Sequence, residues 1–496
     1  MTTREPASLP RASLRIAIGA AALAAILALA SCAGAARPAA PEGALEPARP
    51  EAAAAKPAAP ASAEAARVAG LEAASAQLGK GDAAAAAETI GTLAAAQPDR
   101  PELRLARAAA LVSAGRLEEA RAEVAATAAA FPSHAGALTM GARLAVFAGD
   151  EKGRRSYLDR ALAAAPLDAA VLSAWGDYQL DQKNWPKAED YYRRALRADP
   201  KSADSALGLG RALYRLSRYA ESEAQLTAAI ALEPASPLAY SDRSRARYQL
   251  GMYQESEADL DAAVARAPDG AWLYFDRGRF RFDKNDRAGA EADFDKAIEL
   301  DPEYFMSYVF RAGIREEAGR DEEALADYRS SIALYPDYWF AYEGAAGAAF
   351  RLGLWPEAAA AFQKCFSSSP DRYEYAIAAA LALWRSGKPK EASAYAASIA
   401  PRVDREKDGI YWNMLRLLQD QRDATGELEQ RIQGEKRLDV KAGMLFYLAE
   451  YWLCRGKDSL AQKYLSLSEE LRRESCLEYR LLKAERARLA AAGGNG

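Results

Sequence analysis

The chain has a single histidine, and the residues able to do chemistry are scattered rather than gathered. His134 stands two residues after Pro132 in a predicted loop, with no cysteine or carboxylate beside it. A lone imidazole makes neither a metal site nor the base of a nucleophilic triad. Gly79-Lys80 and Gly387-Lys388 fall in predicted inter-helix turns and lack the spacing of a phosphate loop. No nucleophile elbow or paired metal motif is present in the sequence, so no catalytic residue, metal ligand or cofactor site is expected, and the chain reads as a non-enzyme. Four cysteines remain to be placed: Cys32, Cys365, Cys454 and Cys476. Cys365 takes a slot that alanine fills at 195 and 297, as a small buried residue would. Cys454 and Cys476 could bridge in an oxidising compartment, and two unpaired half-buried thiols are the alternative.

Arginines recur at 243, 277 and 311, one fixed interval apart, and invite a reading as a ligand-binding ladder. Each is followed sixteen residues later by an aspartate: Asp259, Asp293 and Asp327. Where the first position holds Trp175, Leu209 or Ala345, the second holds Tyr191, Gln225 or Ala361. Two positions that change together within one chain are expected to touch. These arginines are therefore assigned to structural ion pairs, not to a ligand.

The interval itself defines the elements. Prolines stand at 98, 132, 166, 200, 234, 268, 302, 336 and 370, always 34 residues apart. Between them run two helical patterns and a turn, as in Trp272 to Asp283, then Lys284-Asn285-Asp286, then Arg287 to Leu300. Small residues mark where two helices approach closely: Gly176, Gly210 and Gly278 on the first, Ala188, Ala290 and Ala358 on the second. Tyr192, Phe294 and Phe362 follow four positions after those alanines. Each proline ends a second helix, because it lacks an amide hydrogen and clashes with the preceding turn.

This unit resembles the tetratricopeptide repeat, carried best by Trp175-Gly176, Ala188, Tyr192, Pro200 and Gly210. The resemblance implies an all-α fold, a right-handed superhelical solenoid of about 10–12 antiparallel helix hairpins. The array is expected over residues 66–400. Degenerate hairpins follow over 401–492, including a unit with Ala449, Gly456, Ala461 and Leu465, and a charged helix from Ser475 to Leu489 is expected as the closing cap. In this family the first helices line an inner wall that docks partners. Matching that wall onto the chain gives Arg211, Arg245 and Arg279, with Tyr214, Tyr248, Phe282, Phe350 and Trp384, and Trp272 and Phe275 nearby. Arginine beside aromatic rings can dock a carboxylate, a peptide backbone or a stacked ring. The competing reading is that these aromatics pack against the next hairpin and the arginines are merely solvated.

The N-terminus carries an address. Arg11 and Arg15 precede an apolar run from Ile16 to Ala30, followed by Ser31 and Cys32. A basic segment, a short apolar one and small residues at the cut describe a secretory signal over residues 1–31. Leu29-Ala30-Ser31-Cys32 resembles a bacterial lipobox, which implies acylation, palmitate included, of Cys32 as a lipid anchor. In a two-membrane bacterium, Ala33 rather than aspartate after the cysteine favours the outer membrane, facing the periplasm; with one membrane the address is the outer face of that membrane. Residues 32–65 are rich in Ala, Pro and Glu and are expected to form an extended linker. The 65 basic and 69 acidic residues nearly cancel, so no global field favours nucleic acid. The expected function is a membrane-anchored scaffold or adaptor of the cell envelope, holding a peptide or domain of another envelope protein. A rival reading makes the same residues a small-ligand or cell-wall-fragment module accessory to an uptake system.

Overall fold

The computed structural model describes residues 60–419, 424–473 and 476–493. The expected signal, Cys32 and the linker up to residue 59 lie outside them; the first helix begins at Pro60, inside the stretch expected to be linker. Two compact units divide the chain after Pro268.

Unit 1 pairs α1 (Pro60–Gly79) with α2 (Ala83–Ala96), α3 (Pro101–Ser113) with α4 (Leu117–Ala130), and α5 (Ala135–Phe147) with α6 (Glu151–Ala164). It continues with α7 (Ala169–Asp181) and α8 (Trp185–Ala198), α9 (Ala203–Arg215) and α10 (Tyr219–Leu232), α11 (Pro237–Gln249) and α12 (Tyr253–Arg266). Unit 2 repeats the plan: α13 (Ala271–Asp283) with α14 (Arg287–Leu300), α15 (Phe305–Glu317) with α16 (Asp321–Leu334), and α17 (Trp339–Leu352) with α18 (Trp355–Ser368). Then come α19 (Tyr373–Arg385) with α20 (Pro389–Ile399), α21 (Gly409–Leu418) with α22 (Ala424–Gly434), α23 (Leu438–Cys454) with α24 (Asp458–Glu470), and a last helix α25 (Leu477–Gly493). The period breaks where expected, at a 3-10 turn over Ala400–Arg402 that contains Pro401.

One backbone device makes each hairpin. The residue closing the first helix adopts a left-handed conformation at Gly81, Gly115, Gly149, Gly251, Gly319, Gly353 and Gly387, and at Lys183, Ser217 and Asn285 between them. Glycine enters that region freely, while a side chain there is strained. The geometry thus repeats every 34 residues even where glycine is absent. Second helices then start on side-chain caps such as Asp82, Asp150 and Asp286, whose carboxylates accept the amide three residues on.

The small and large positions mesh as the sequence implies. A Cβ on Gly176 would lie 2.6 Å from Tyr192, one on Gly210 would lie 2.6 Å from Leu226, and one on Gly278 would lie 2.8 Å from Phe294. Tyr192 also reaches the following first helix, where a Cβ on Gly208 would be 2.3 Å away. Tyr192 therefore wedges between two first helices, which explains the glycines at 176 and 208. Successive first helices touch directly, α5 with α7, α7 with α9 and α9 with α11 in unit 1, and α15 with α17 in unit 2. No successive second helices are in comparable contact among the described residues. In both units the first helices form the inner layer. The core of unit 1 is divided into several small clusters, while most of unit 2 shares one cluster running from Ala312 to Leu482.

The last helix departs from expectation. A terminal cap would cover only the final hairpin. α25 does pack on α23 and α24, but it also lies against α17, far back in the array.

Candidate binding face

The arginine stripe is structural. Arg243 grips Asp259 with two bonds of 2.6 and 2.9 Å, Arg311 grips Asp327 in the same way, and Arg277 binds Asp293 at 2.7 Å. All three aspartates are buried. A second arginine one turn further on completes each site: Arg247, Arg281 and Arg315 reach the same aspartates at 2.9, 2.7 and 2.8 Å. These partners were missed in the sequence reading, although they recur at the same 34-residue interval. His134 is structural too, its Nδ1 accepting the amide of Ala137 at 3.1 Å to cap α5. No cluster of metal-ligating side chains occurs among the described residues.

In unit 1 the expected inner-face residues come together on α9 and α11. Arg211 crosses from α9 to donate to Asp242 of α11, and Arg245 approaches the same carboxylate at 3.5 Å. Burial depresses the Arg211 guanidinium but Asp242 more than offsets it, so its pKa rises and its charge is fixed. Tyr214 and Tyr248, one turn along, each lean on the first residue of the following second helix, Tyr219 at 5.5 Å and Tyr253 at 5.4 Å between ring centroids. Both tyrosines and Arg245 are half-buried. Arg245 keeps 41 % of its side chain exposed while bonded.

In unit 2 two expected site residues belong to the core instead. Phe275 is buried against Phe294, Tyr304 and Phe310. Phe350 is buried against Trp355, Phe362 and Phe446. Both fill the gap to neighbouring helices, as the competing reading held, because an exposed phenyl ring gains most by closing such a gap. Phe282 is half-buried, with the Arg287 guanidinium 4.0 Å above its ring. Arg279 lies 6.0 Å from the Phe275 ring. Trp272 is half-buried on the first turn of α13. Trp384 is half-buried, edge-on to Tyr451 at 5.8 Å and under Arg455 at 5.2 Å.

What covers the later part of unit 2 is its own last helix. Arg480 of α25 donates to Glu316 of α15 at 2.8 Å. Arg488 donates to the backbone carbonyls of Phe350 and Arg351 near the C-terminus of α17, where partial negative charge collects. Glu485 receives Arg385 of α19 at 3.5 Å, and Glu478 accepts the Tyr447 hydroxyl of α23 at 2.6 Å. All four of these helices are first helices. Leu477 enters against Gly347, and Glu478 against Gly443. The sequence signal was present but unread: Arg211, Arg245 and Arg279 give way to Gly313 and Gly347 at the same register.

Among the described residues, Cys365, Cys454 and Cys476 are all free. Cys365 is buried, as expected from its slot. The possible bridge between Cys454 and Cys476 is not formed. Glu478 contacts α23 at Gly443 and Tyr447, while Cys454 ends that helix, roughly 10 Å beyond Tyr447 at the usual rise. A disulfide spans at most about 7 Å between Cα atoms. The described residues also border an open cleft of about 450 Å³ lined by Arg372, Arg437, Lys407, Asp404, Asp408 and Tyr411 among others, and none of the expected site residues lines it.

Tetratricopeptide repeat family models match residues 71–135, 140–203 and 275–338, and a second such model matches 179–241. The chain is a tetratricopeptide-repeat protein. No curated protein matches it. Among solved structures it is similar to a tetratricopeptide repeat protein from Parabacteroides merdae, at 18% identity over 51% of this chain and 98% of that one, TM-score 0.35. It is also similar to PilW, described as a type IV pilus biogenesis factor, at 16% identity over 41% and 94%, TM-score 0.37. YrrB, described as having an unusual peptide-binding site, matches at 17% identity over 37% and 95%, TM-score 0.30.

Proposed function

We propose that this protein is a lipid-anchored interaction scaffold of the bacterial cell envelope, which holds a peptide or domain of another envelope protein on the first-helix face of unit 1. The tetratricopeptide fold is that of a protein-interaction scaffold. The observation carrying the assignment is the shared carboxylate of Asp242, which ties Arg211 and Arg245 from successive first helices into one preorganised row beside Tyr214 and Tyr248. Cations fixed next to aromatic rings present guanidinium edges to a carboxylate or a peptide carbonyl with little ordering left to do on binding. Replacing Arg245 and Tyr248 with alanine is expected to abolish partner capture while the helical content and melting stay unchanged. A folded variant that still captures its partner overturns the assignment.

The anchor rests on Leu29-Ala30-Ser31-Cys32. Among the described residues no helix is long and apolar enough to cross a membrane. Acyl chains on Cys32 would hold the protein at the outer membrane, facing the periplasm. Cys32→Ala is expected to move it from the membrane fraction to the soluble one and to abolish labelling by radioactive palmitate. Retention of both properties contradicts the anchor.

A further inference from the structure

The face beneath α25 takes Leu477, Leu481 and Leu482 into the apolar core of unit 2 and surrounds them with charges. Its floor contains Glu316, Arg351, Arg385 and Glu450, with the Phe350 and Arg351 carbonyls at the end of α17. Arg351 binds Glu316 at 3.1 Å and Asp321 at 2.8 Å, and Arg385 binds Glu450 at 3.1 Å, all within the floor itself. The leucines hold α25 in place, whereas the ion pairs around them return little net stability over an apolar replacement. A floor of internally paired charges, by contrast, tolerates both cover and water. Gly313 and Gly347 stand where Arg211, Arg245 and Arg279 stand in earlier hairpins, and a Cβ on Gly347 would already lie 3.5 Å from Leu477 of α25. The occupant, α25, follows the last hairpin described, and residues 472, 473 and 476 ahead of it lie outside any helix.

We propose that the first-helix face of α15, α17, α19 and α23 is a second recognition surface, and that α25 is a resident occupant exchangeable for a helix of another protein. The chemistry of the site fixes what that partner helix carries. Leu477, Leu481 and Leu482 supply the buried apolar stripe of α25. Arg480 meets Glu316, Glu485 meets Arg385, and Arg488 meets the α17 carbonyls. The matching partner is an amphipathic helix with arginines eight residues apart, a leucine pair directly after the first, and a glutamate three residues before the second. Charge complementarity selects it: a helix reversed in sign would bring carboxylates to Glu316 and to the negative end of α17. This surface lies in unit 2 and stands whether or not the face of unit 1 takes a partner.

The test uses the full chain and a fluorescent peptide spanning residues 477–493, beside a control peptide with alanine in place of Arg480 and Arg488. Arg480→Ala together with Arg488→Ala weakens the resident helix. This variant is expected to bind the peptide at least tenfold more tightly than wild type does, and to bind the control at least tenfold more weakly than the peptide. Hydrogen exchange on the unaltered protein gives a second readout that does not depend on the variant folding. Amides of α25 are expected to exchange at least tenfold faster than those of α17 and α23. Exchange of α25 at the same rate as α17 and α23 overturns the proposal, as does a folded variant that fails to bind the peptide or binds both peptides equally.

Discussion

Arg480 and Glu316 are 164 residues apart in the chain and 2.8 Å apart in space. The same glutamate binds Arg351 at 3.1 Å and accepts the Tyr328 hydroxyl at 2.9 Å. A side chain on an ordinary first helix thereby becomes a junction between its own repeat, the next repeat and the end of the chain. Arg351 and Glu316 are both nearly buried, so their pair is a fixed part of unit 2, while Arg480, 46 % exposed, is the member that leaves with α25.

The aspartates under the arginine stripe are predicted to matter more than any single arginine. Asp327 holds Arg311 and Arg315 together, and its removal takes from each its most buried partner, leaving Asp295 to the first and Glu291 and Glu323 to the second. Asp327→Ala is expected to cost about 3 kcal/mol, the usual scale for breaking a partly buried pair from one side. Urea denaturation followed by circular dichroism measures it; a loss under about 1 kcal/mol would show that the pairs are peripheral.

Glycine at 344 is predicted to be obligatory because of its neighbour. A Cβ there would sit 2.1 Å from the Tyr328 ring, which is buried and bonded to Glu316. Gly344→Ala should destabilise the protein by about 2 kcal/mol through overpacking. Gly313→Ala, with nothing within 4 Å of its added Cβ, should be neutral or slightly stabilising. Equal effects of the two changes would refute the wedge described for the second-helix residue.

The repeat, its hairpins and the Arg–Asp pairing were legible in the sequence because each is local and recurs. A 34-residue period fixes which residues face each other inside a hairpin, and co-changing positions such as 243 and 259 report contact directly. The depth of Phe350 was not legible, since the register it shares with Tyr214 and Tyr248 places it on one face without saying what covers it, and Phe275, seven residues before Phe282, falls on that face by helical period alone. Placement of α25 depends on contacts 137 to 164 residues away, which no period encodes. Gly313 and Gly347 were the trace it left.

Stability is predicted to depend on Glu450. Burial pushes its carboxyl up to about 7 against the pull of Arg385 and Arg488. The folded protein thus binds this proton more tightly than the unfolded chain, and stability contributed by the neutral form is lost as pH rises from about 4.5 through 7. Glu450→Gln removes that dependence. Its stability relative to wild type should be greater at pH 8 than at pH 4 by about 3 kcal/mol. A difference independent of pH would contradict the assignment.

The thiols should be inert and unbridged. Burial pushes Cys365 and Cys454 each up to about 12 and raises Cys476 as well, so little thiolate exists at neutral pH. Iodoacetamide at pH 8 is expected to label Cys476 first and the other two only on unfolding. Intact mass without reductant should show all three reduced, and a bridge between Cys454 and Cys476 would mean that α25 can leave the position described.

The partner-binding face of unit 1 is tested most directly by a photo-reactive residue placed at Tyr214 or Tyr248 in living cells, with Lys187 on the exposed side of α8 as the control. One recurring polypeptide trapped from both tyrosine positions, absent from Lys187 and lost when Arg245 is replaced by alanine, is the predicted result. No adduct from either tyrosine, or the same adduct from Lys187, would contradict it.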